Sequence, residues 1–345
     1  MAMKKFHTVI VGGGPGGLAC ATLLARQGKE VLVLERNGAI GPKVCAGGIP
    51  SGAMGLGFPD TLWERSFSRQ HISSNWQQTM IQDAKPIIRT VDRGRLGRWM
   101  AERAGAAGVT IATNALALEI SEDRVLIRGG EEFGYNFLVG ADGSSSLVRR
   151  QLGIPTQQMG VGINYQVPGN FPEMQWHLNT DLFGNGYAWI FPHQDTASIG
   201  VYARRSASKP GLLLNSLHQW AASHGHELKS RQPQAALINF DFRGWRFNNR
   251  FLIGDAAGLA SGLTGEGIYS AIVSGEETAR TILDGGYESK KMTQLIKKHH
   301  QHARILALAS SGKLTGTLIL ESLVFCLRLG LIPFSALEMG IDQPS

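Results

Sequence analysis

The residues that most constrain this chain come first. A β-branched stretch, His7-Thr-Val-Ile-Val11, leads directly into Gly12, Gly14 and Gly17 at G-x-G-x-x-G spacing. Leu18, Ala21, Leu24 and Ala25 then recur on one face of a predicted helix, Gly28 can end it, and Val31 to Leu34 reads as a second apolar strand. This β-α-β context gives the glycines a chemical meaning. The first permits a tight turn, the second, beside Pro15 and Gly16, lets backbone approach a pyrophosphate, and the third lets helix pack on strand. The helix N-terminus presents a positive end to the phosphates. Glu35 closes the second strand, where its carboxylate can accept hydrogen bonds from an adenosine ribose, and Arg36 follows. A glycine-rich loop of purely structural use is the alternative, and the flanking strand and helix argue against it.

Two later segments repeat a strand followed by a carboxylate. The first is Phe137-Leu-Val-Gly-Ala-Asp-Gly143. The second is Phe251-Leu-Ile-Gly-Asp-Ala-Ala-Gly258, with Leu263-Thr-Gly-Glu-Gly-Ile268 close behind. Ile268, Ala271, Ile272, Gly275, Ala279 and Ile282 then mark an amphipathic helix, whose N-terminus would stabilise negative charge. In this order the three segments resemble the FAD-binding family with the para-hydroxybenzoate hydroxylase fold. The resemblance implies that Asp255 hydrogen-bonds the ribityl chain of FAD and that Gly267 and Ile268 present backbone N–H groups to the flavin pyrimidine edge. Asp142, Gly143, Gly254 and Gly265 lie in the same motifs and carry over as cofactor contacts. A fourth matching stretch, Thr90 to Met100, places at Arg93 the arginine that touches the cofactor at a helix start, with Arg95 or Arg98 able to share the task. Gly97 stands where relatives often have Asp. By the same resemblance Ala117, in a strand pair over Val109 to Ile120, touches the adenine through its backbone.

Pro42-Lys-Val-Cys-Ala-Gly-Gly-Ile49 follows the second strand, and within this fold a Lys-x-Cys-x-Gly-Gly segment looks like the geranylgeranyl reductase family. There the cysteine and the glycines lie near the flavin ring, so Cys45, Ala46, Gly47 and Gly48 carry over as cofactor or active-site contacts. A small-residue loop packed tightly is the plainer reading. A second mark is Tyr187-x-Trp189-x-Phe191-Pro192, which matches the family's Tyr-x-Trp-x-Phe-Pro pattern. Alternation puts Tyr187, Trp189 and Phe191 on one face of a strand, where they suit an apolar, elongated substrate or an ordinary sheet core. Gly184 and Gly262 replace prolines usual in relatives, both changes toward flexibility. The resemblance runs from about Thr8 to Leu283, strongest at the flavin motifs and weakest between Pro155 and Trp245.

The order of motifs implies an α/β chain, α+β overall, with a Rossmann-type FAD-binding domain in residues 1–65, 90–155 and 248–300. An antiparallel-sheet substrate domain, 66–89 and 156–247, is inserted, and C-terminal helices occupy 301–345. The expected activity is FAD-dependent reduction of carbon–carbon double bonds in an isoprenoid (geranylgeranyl-type) lipid, with Cys45 as the candidate acid or positioning group. An FAD-dependent monooxygenase and a non-catalytic electron-carrying or lipid-binding flavoprotein are the alternatives, since fold alone decides neither. No second G-x-G-x-x-G is present, so the electron donor, NAD(P)H or ferredoxin, stays open, as does a redox partner.

Charge and cysteine usage narrow the rest. The excess of 34 Lys and Arg over 27 Asp and Glu, +7, is modest and suits an anionic cofactor, a phosphorylated substrate or a membrane surface, with no nucleic acid expected. Lys290, Lys291, Lys297, Lys298 and Arg304 form the clearest basic run, read as a solvated helix face or a contact for lipid headgroups. Cys20, Cys45 and Cys326 are too scattered for a disulfide framework or a metal site, which fits a reducing cytoplasm. The apolar run Val9 to Val11 is too short for a signal-peptide core. Leu314 to Leu337 is strongly apolar yet contains Glu321, Arg328 and Pro333, so it is expected to be buried, to line an apolar pocket or to rest peripherally on a membrane rather than to span it.

Overall fold

The computed structural model describes residues 3–205 and 210–340. The strands Lys4–Val11, Val31–Leu34, Glu132–Gly140 and Arg250–Leu252 lie in one sheet and run parallel. Each is apolar over a continuous run, as a parallel sheet covered on both faces requires. Their registers bring the carboxyl ends level: Val11 stands beside Leu34 and Gly140, and Gly140 stands beside Leu252. Gly12, Glu35, Asp142 and Asp255, far apart in sequence, therefore leave the sheet along one edge, where open α/β sheets bind ligands.

The helices, in chain order, are α1 (Pro15–Arg26), α2 (Arg93–Ala106), α3 (Leu147–Gln151), α4 (Thr180–Phe183), α5 (Pro210–Ser223), α6 (Gly254–Ala257), α7 (Ile268–Leu283), α8 (Lys290–Ala309) and α9 (Lys313–Arg328). Gly28, at φ +72°, follows α1 and its C-cap Gln27, as the sequence suggests. α1 crosses α7 backbone to backbone. A Cβ at Gly16 would lie 2.6 Å from the Ala271 carbonyl oxygen, and one at Gly275 would lie 2.2 Å from that of Gly16. The expected strand pair over Val109 to Ile120 is instead two strands with different partners. Thr110–Ala112 joins Val31–Leu34, and Ala117–Ile120 joins Arg124–Ile127, because Asn114, at φ +57°, turns the chain between them.

A second sheet of seven strands has the order Gln234–Asn239, Met159–Pro168, Thr196–Arg204, Tyr187–Pro192, Gln175–Leu178, Arg69–Ser74 and Gln78–Gln82. Its neighbours are antiparallel except Gln175–Leu178 and Arg69–Ser74, which are parallel. The mixed α/β architecture expected from the motifs is the one observed. Residues 66–89 are split: two of their strands join the seven-stranded sheet, while Ile88–Val91 pairs with both Gly48–Pro50 and Trp63–Phe67 in a small third sheet. That third sheet carries the end of the Cys45 loop to the rim of the second. α8 runs unbroken through residue 300, where the sequence division ended the nucleotide domain.

α9 docks on the hairpin of Arg69–Ser74 and Gln78–Gln82. Its Glu321, an interruption in the apolar run, is buried and accepts hydrogen bonds from Ser74 Oγ (2.8 Å), Trp76 N–H (3.1 Å) and Gln77 Nε2 (2.8 Å). Among the described residues no helix is long and apolar enough to cross a membrane.

Candidate active site

A cavity of about 850 Å³ follows the carboxyl edge of the parallel sheet, within the range of roughly 300–1,000 Å³ common for ligand pockets. Gly12 to Gly17, Glu35, Arg36, Ala117, Asp142, Gly143, Gly254 and Asp255 line it. The glycines divide their work as the fingerprint implies. At Gly12, φ +109°, a Cβ would lie 2.3 Å from the Ala141 carbonyl oxygen, and at Gly17 it would lie 2.2 Å from that of Gly12. Gly14 has nothing within 4 Å of that position and is open to the cavity. It is the N-cap of α1 and provides no side-chain cap, so the first-turn N–H groups stay available. Glu35 Oε2 accepts from Gly13 N–H at 2.9 Å, and Oε1 accepts from the Asn37 backbone (2.9 Å) and side chain (2.8 Å), which leaves a lone pair on Oε2 for a further donor.

Two side chains in this wall have buried polar atoms without protein partners. Asp142 Oδ2 accepts from Leu147 N–H (2.6 Å), while its Oδ1 is unpartnered and burial pushes the carboxyl upward. Arg93 opens α2 behind its N-cap Asp92, is 9% exposed, and has Nε and Nη1 buried without hydrogen-bond partners. A guanidinium desolvated in this way is costly unless an anion meets it, so the site fits a group carrying negative charge. Arg95 and Arg98 do not share this place: neither lines the cavities, and Arg95 donates to the Thr61 carbonyl. A Cβ at Gly97 would lie 2.2 Å from the Gly41 Cα, which explains why no larger residue stands there.

A second, mainly apolar cavity of about 180 Å³ shares Pro15, Lys43, Arg93, Asp255 and Ala271 with the first. Asp255 sits at the junction, its Oδ2 accepting from Lys43 Nζ (3.2 Å) and Ser144 Oγ (3.1 Å). Gly265, Gly267 and Ile268 line the second cavity where α7 begins, again at an N-terminus without a side-chain cap. Cys45, Ala46 and Gly48 form another wall, and Tyr187, Trp189 and Phe191 face them.

Both glycines of the Cys45 loop are there for close approach. At Gly47, φ +79°, a Cβ would lie 2.5 Å from His193 Cε1, and at Gly48 it would lie 2.6 Å from the Phe191 ring. Gly47 itself lines neither cavity; it makes the turn. Cys45 Sγ accepts from Gly47 N–H at 3.4 Å. His193, missed in the sequence, contacts the Ala46 carbonyl through Nε2 (3.0 Å) and Glu64 through Nδ1. Both partners are acceptors, so both contacts are hydrogen bonds only when each ring nitrogen carries a hydrogen.

The aromatic wall is continuous. Ring centroids lie 5.5 Å apart for Trp176 and Phe334, 5.3 Å for Trp176 and Tyr187, 5.9 Å for Tyr187 and Trp189, and 6.1 Å for Trp189 and Phe191. Two of its polar tips are tied down: Tyr187 OH donates to the Thr264 carbonyl and Trp189 Nε1 donates to Ser198 Oγ at 3.0 Å, while Trp176 Nε1 is buried without a partner. The substituted prolines also have local causes. Gly184 sits at φ +58°, closed to proline, and a Cβ at Gly262 would lie 2.7 Å from the Phe240 ring.

Glu266 is the other missed residue. It lies in the second cavity wall, its Oε2 accepts from Met339 N–H (2.7 Å), its Oε1 has no partner, and burial pushes the carboxyl up to about 8. An ionisable residue between two glycines, in the otherwise uncharged run Ala256 to Ala271, was the available signal.

The FAD binding domain family matches residues 5–177, half of the chain. The chain belongs to this FAD binding domain family. It is 27% identical to digeranylgeranylglycerophospholipid reductase 1 of Methanopyrus kandleri over 86% of this chain and 85% of that protein. It is 29% identical to geranylgeranyl diphosphate reductase of Rhodobacter capsulatus, over 81% and 75% of the respective lengths. A geranylgeranyl bacteriochlorophyll reductase-like structure from Thermoplasma acidophilum superimposes with a TM-score of 0.80 at 22% identity, covering 97% of this chain and 95% of that one. The resemblance to geranylgeranyl reductases is borne out, and the chain is an FAD-dependent oxidoreductase. The partnerless Arg93, the two uncapped helix starts and the open backbone at Gly14 fit the phosphates and reducible ring of such a cofactor.

Proposed function

We propose that this flavoenzyme reduces carbon–carbon double bonds of an isoprenoid, geranylgeranyl-type lipid in the aromatic-walled cavity. The observation that carries the reading is the junction at Asp255, where a polar cleft suited to a dinucleotide opens into an apolar chamber bounded by Cys45, Trp189 and Glu266. The names of the relatives give the substrate class. In this reading Gly12 to Gly17, Arg93, Asp142 and Gly143 hold the diphosphate. Glu35, Arg36 and Ala117 surround the adenosine, and Asp255, Gly254 and Gly265 to Ile268 meet the ribityl chain and ring.

Bound and reduced, FAD supplies the hydride that one alkene carbon accepts. The chain supplies the rest. The other alkene carbon takes a proton, so the balanced change is one hydride and one proton per double bond. One NAD(P)H, or two one-electron transfers from reduced ferredoxin, would return the two electrons that each double bond consumes. An alkene offers little charge to grip, so shape and exclusion of water must place it, and the fixed rings of Tyr187, Trp189 and Phe191 are suited to that. Two acids face the chamber: the Cys45 thiol, and the Glu266 carboxyl, whose raised pKa keeps it protonated near neutral pH. Cys45 is assigned the proton transfer or the positioning of the alkene, and Glu266 is placed to resupply protons.

Replacing Cys45 tests the assignment. Cys45→Ser is expected to keep the yellow, FAD-bound protein and to lower anaerobic saturation of a geranylgeranyl lipid, read by mass spectrometry, by roughly a hundredfold, the scale of a lost general acid. Unchanged turnover would remove Cys45 from the mechanism. A hydroxylated product formed only with oxygen would replace reduction by monooxygenation.

A further inference from the structure

The outward face of α9 is apolar where a surface helix should be polar. Leu314 (81% exposed), Leu318 (57%), Phe325 (43%) and Leu329 (55%) stand out from the protein. At 100° per residue these four fall within an arc of about 60°, along roughly 22 Å of helix axis. The opposite face of the same helix is also apolar: Val324 and Leu327 are buried in the cluster that contains Tyr187, Trp189, Phe334 and Leu337. α9 is thus one wall of the aromatic core on its inner side and a greasy strip on its outer side. Trp76, 66% exposed, stands at the tip of the hairpin whose backbone is tied to Glu321 of α9. An amphipathic indole in that place is the residue type that membrane interfaces favour.

The charge around the strip selects its occupant. Across α8 and α9 the single acidic residue is Glu321, and it is buried beneath the hairpin. The exposed cations are many. Lys290, Lys297 and Arg304 recur every seven residues on one face of α8, and Leu308 continues that face to the start of α9. Arg328 closes the strip with its guanidinium 5.4 Å from the Phe325 ring centre. Lys313, at the opposite end, is paired with Asp181 of α4. A second copy of this chain docked symmetrically through the strip would bring these cations against their own kind. A bilayer with anionic headgroups offers acyl chains to the leucines and phosphates to the lysines and arginines, as interfacial helices require.

We propose that α9, with Trp76 and the end of α8, rests in the headgroup boundary of an anionic lipid bilayer, so that the helix packed behind the aromatic core faces the membrane. This docking does not depend on which lipid is reduced, so its test uses no turnover. The FAD-bound protein is mixed with vesicles of phosphatidylglycerol and phosphatidylcholine in equal parts, or of phosphatidylcholine alone, and floated on a density gradient. Flotation is expected with the anionic vesicles and to weaken with added salt. The double variant Leu318→Glu/Phe325→Glu should lose partitioning by more than about tenfold while retaining bound FAD, since both side chains point away from the cavities. Lys297→Gln/Arg304→Gln should weaken binding to anionic vesicles alone. Equal flotation of wild type and the glutamate variant would overturn the proposal. So would a wild-type dimer that fails to float and that the glutamate variant converts to monomer, which would assign the strip to a second copy of the chain.

Discussion

Glu266 accepts one side-chain hydrogen bond, from Met339 N–H, and its Oε1 is buried without a partner, so its proton is lost only at a cost to the fold. Burial is the largest cause of the shift; neighbouring Glu338 pushes the same way, while the Met339 N–H and Lys298 oppose it. The folded-state value of about 8 stands above the ordinary 4.5, so the folded protein holds a proton that the unfolded chain has released in that interval. Stability from this group is complete below 4.5 and falls as pH rises toward about 8, with a slope approaching ~1.4 kcal/mol per pH unit at most. Glu266→Gln keeps the shape and cannot ionise. Urea denaturation of the holoenzyme should therefore show the variant gaining on wild type between pH 5 and pH 8, and an offset that does not change with pH would contradict this account. The individual residues were unevenly legible. Gly12, Gly14 and Gly17 could be read because local spacing encodes their geometry. Glu266 and His193 could not, because their importance lies in what the fold packs around them: His193 meets the Ala46 carbonyl across 147 positions of sequence.

Among the elements, the crossing of α1 and α7 decides how two distant motifs share one cleft. Gly16 and Gly275 let the helices touch along their backbones, which sets the uncapped start of α7 beside the loop that begins α1. The periodicity of Ile268 to Ile282 made α7 predictable as a helix. It could not reveal that Gly275 was a contact rather than a gap in the apolar face, since a glycine leaves no side chain to read. Gly275→Ala would place a Cβ 2.2 Å from the Gly16 carbonyl oxygen and force the helices apart. A loss of about 1–3 kcal/mol in unfolding free energy is expected, the usual cost of overpacking, together with weaker retention of FAD on gel filtration. A variant as stable as wild type, with full FAD, would show that the crossing has slack. The strand Tyr187–Pro192 was legible for a different reason. Its alternation sends Tyr187, Trp189 and Phe191 to one core and Ala188 and Ile190 to the other.

For the whole molecule, parallel strands ending level at one edge turn three scattered sequence motifs into one surface, and the antiparallel sheet closes that surface with an aromatic wall. The order of the motifs revealed the first of these. The sharing of residues 66–89 between two sheets was hidden, because short alternating strands such as Arg69–Ser74 and Trp63–Phe67 carry no mark of which partner they will choose. The central claim is that flavin and alkene meet where the polar cleft opens into the apolar chamber. It is tested most directly by reducing the FAD-bound protein without oxygen, adding a geranylgeranyl lipid, and following the flavin absorbance. Reoxidation that depends on the lipid, with matching loss of double bonds, is the predicted result. Flavin that stays reduced until oxygen is admitted, with the lipid unsaturated as before, would contradict it.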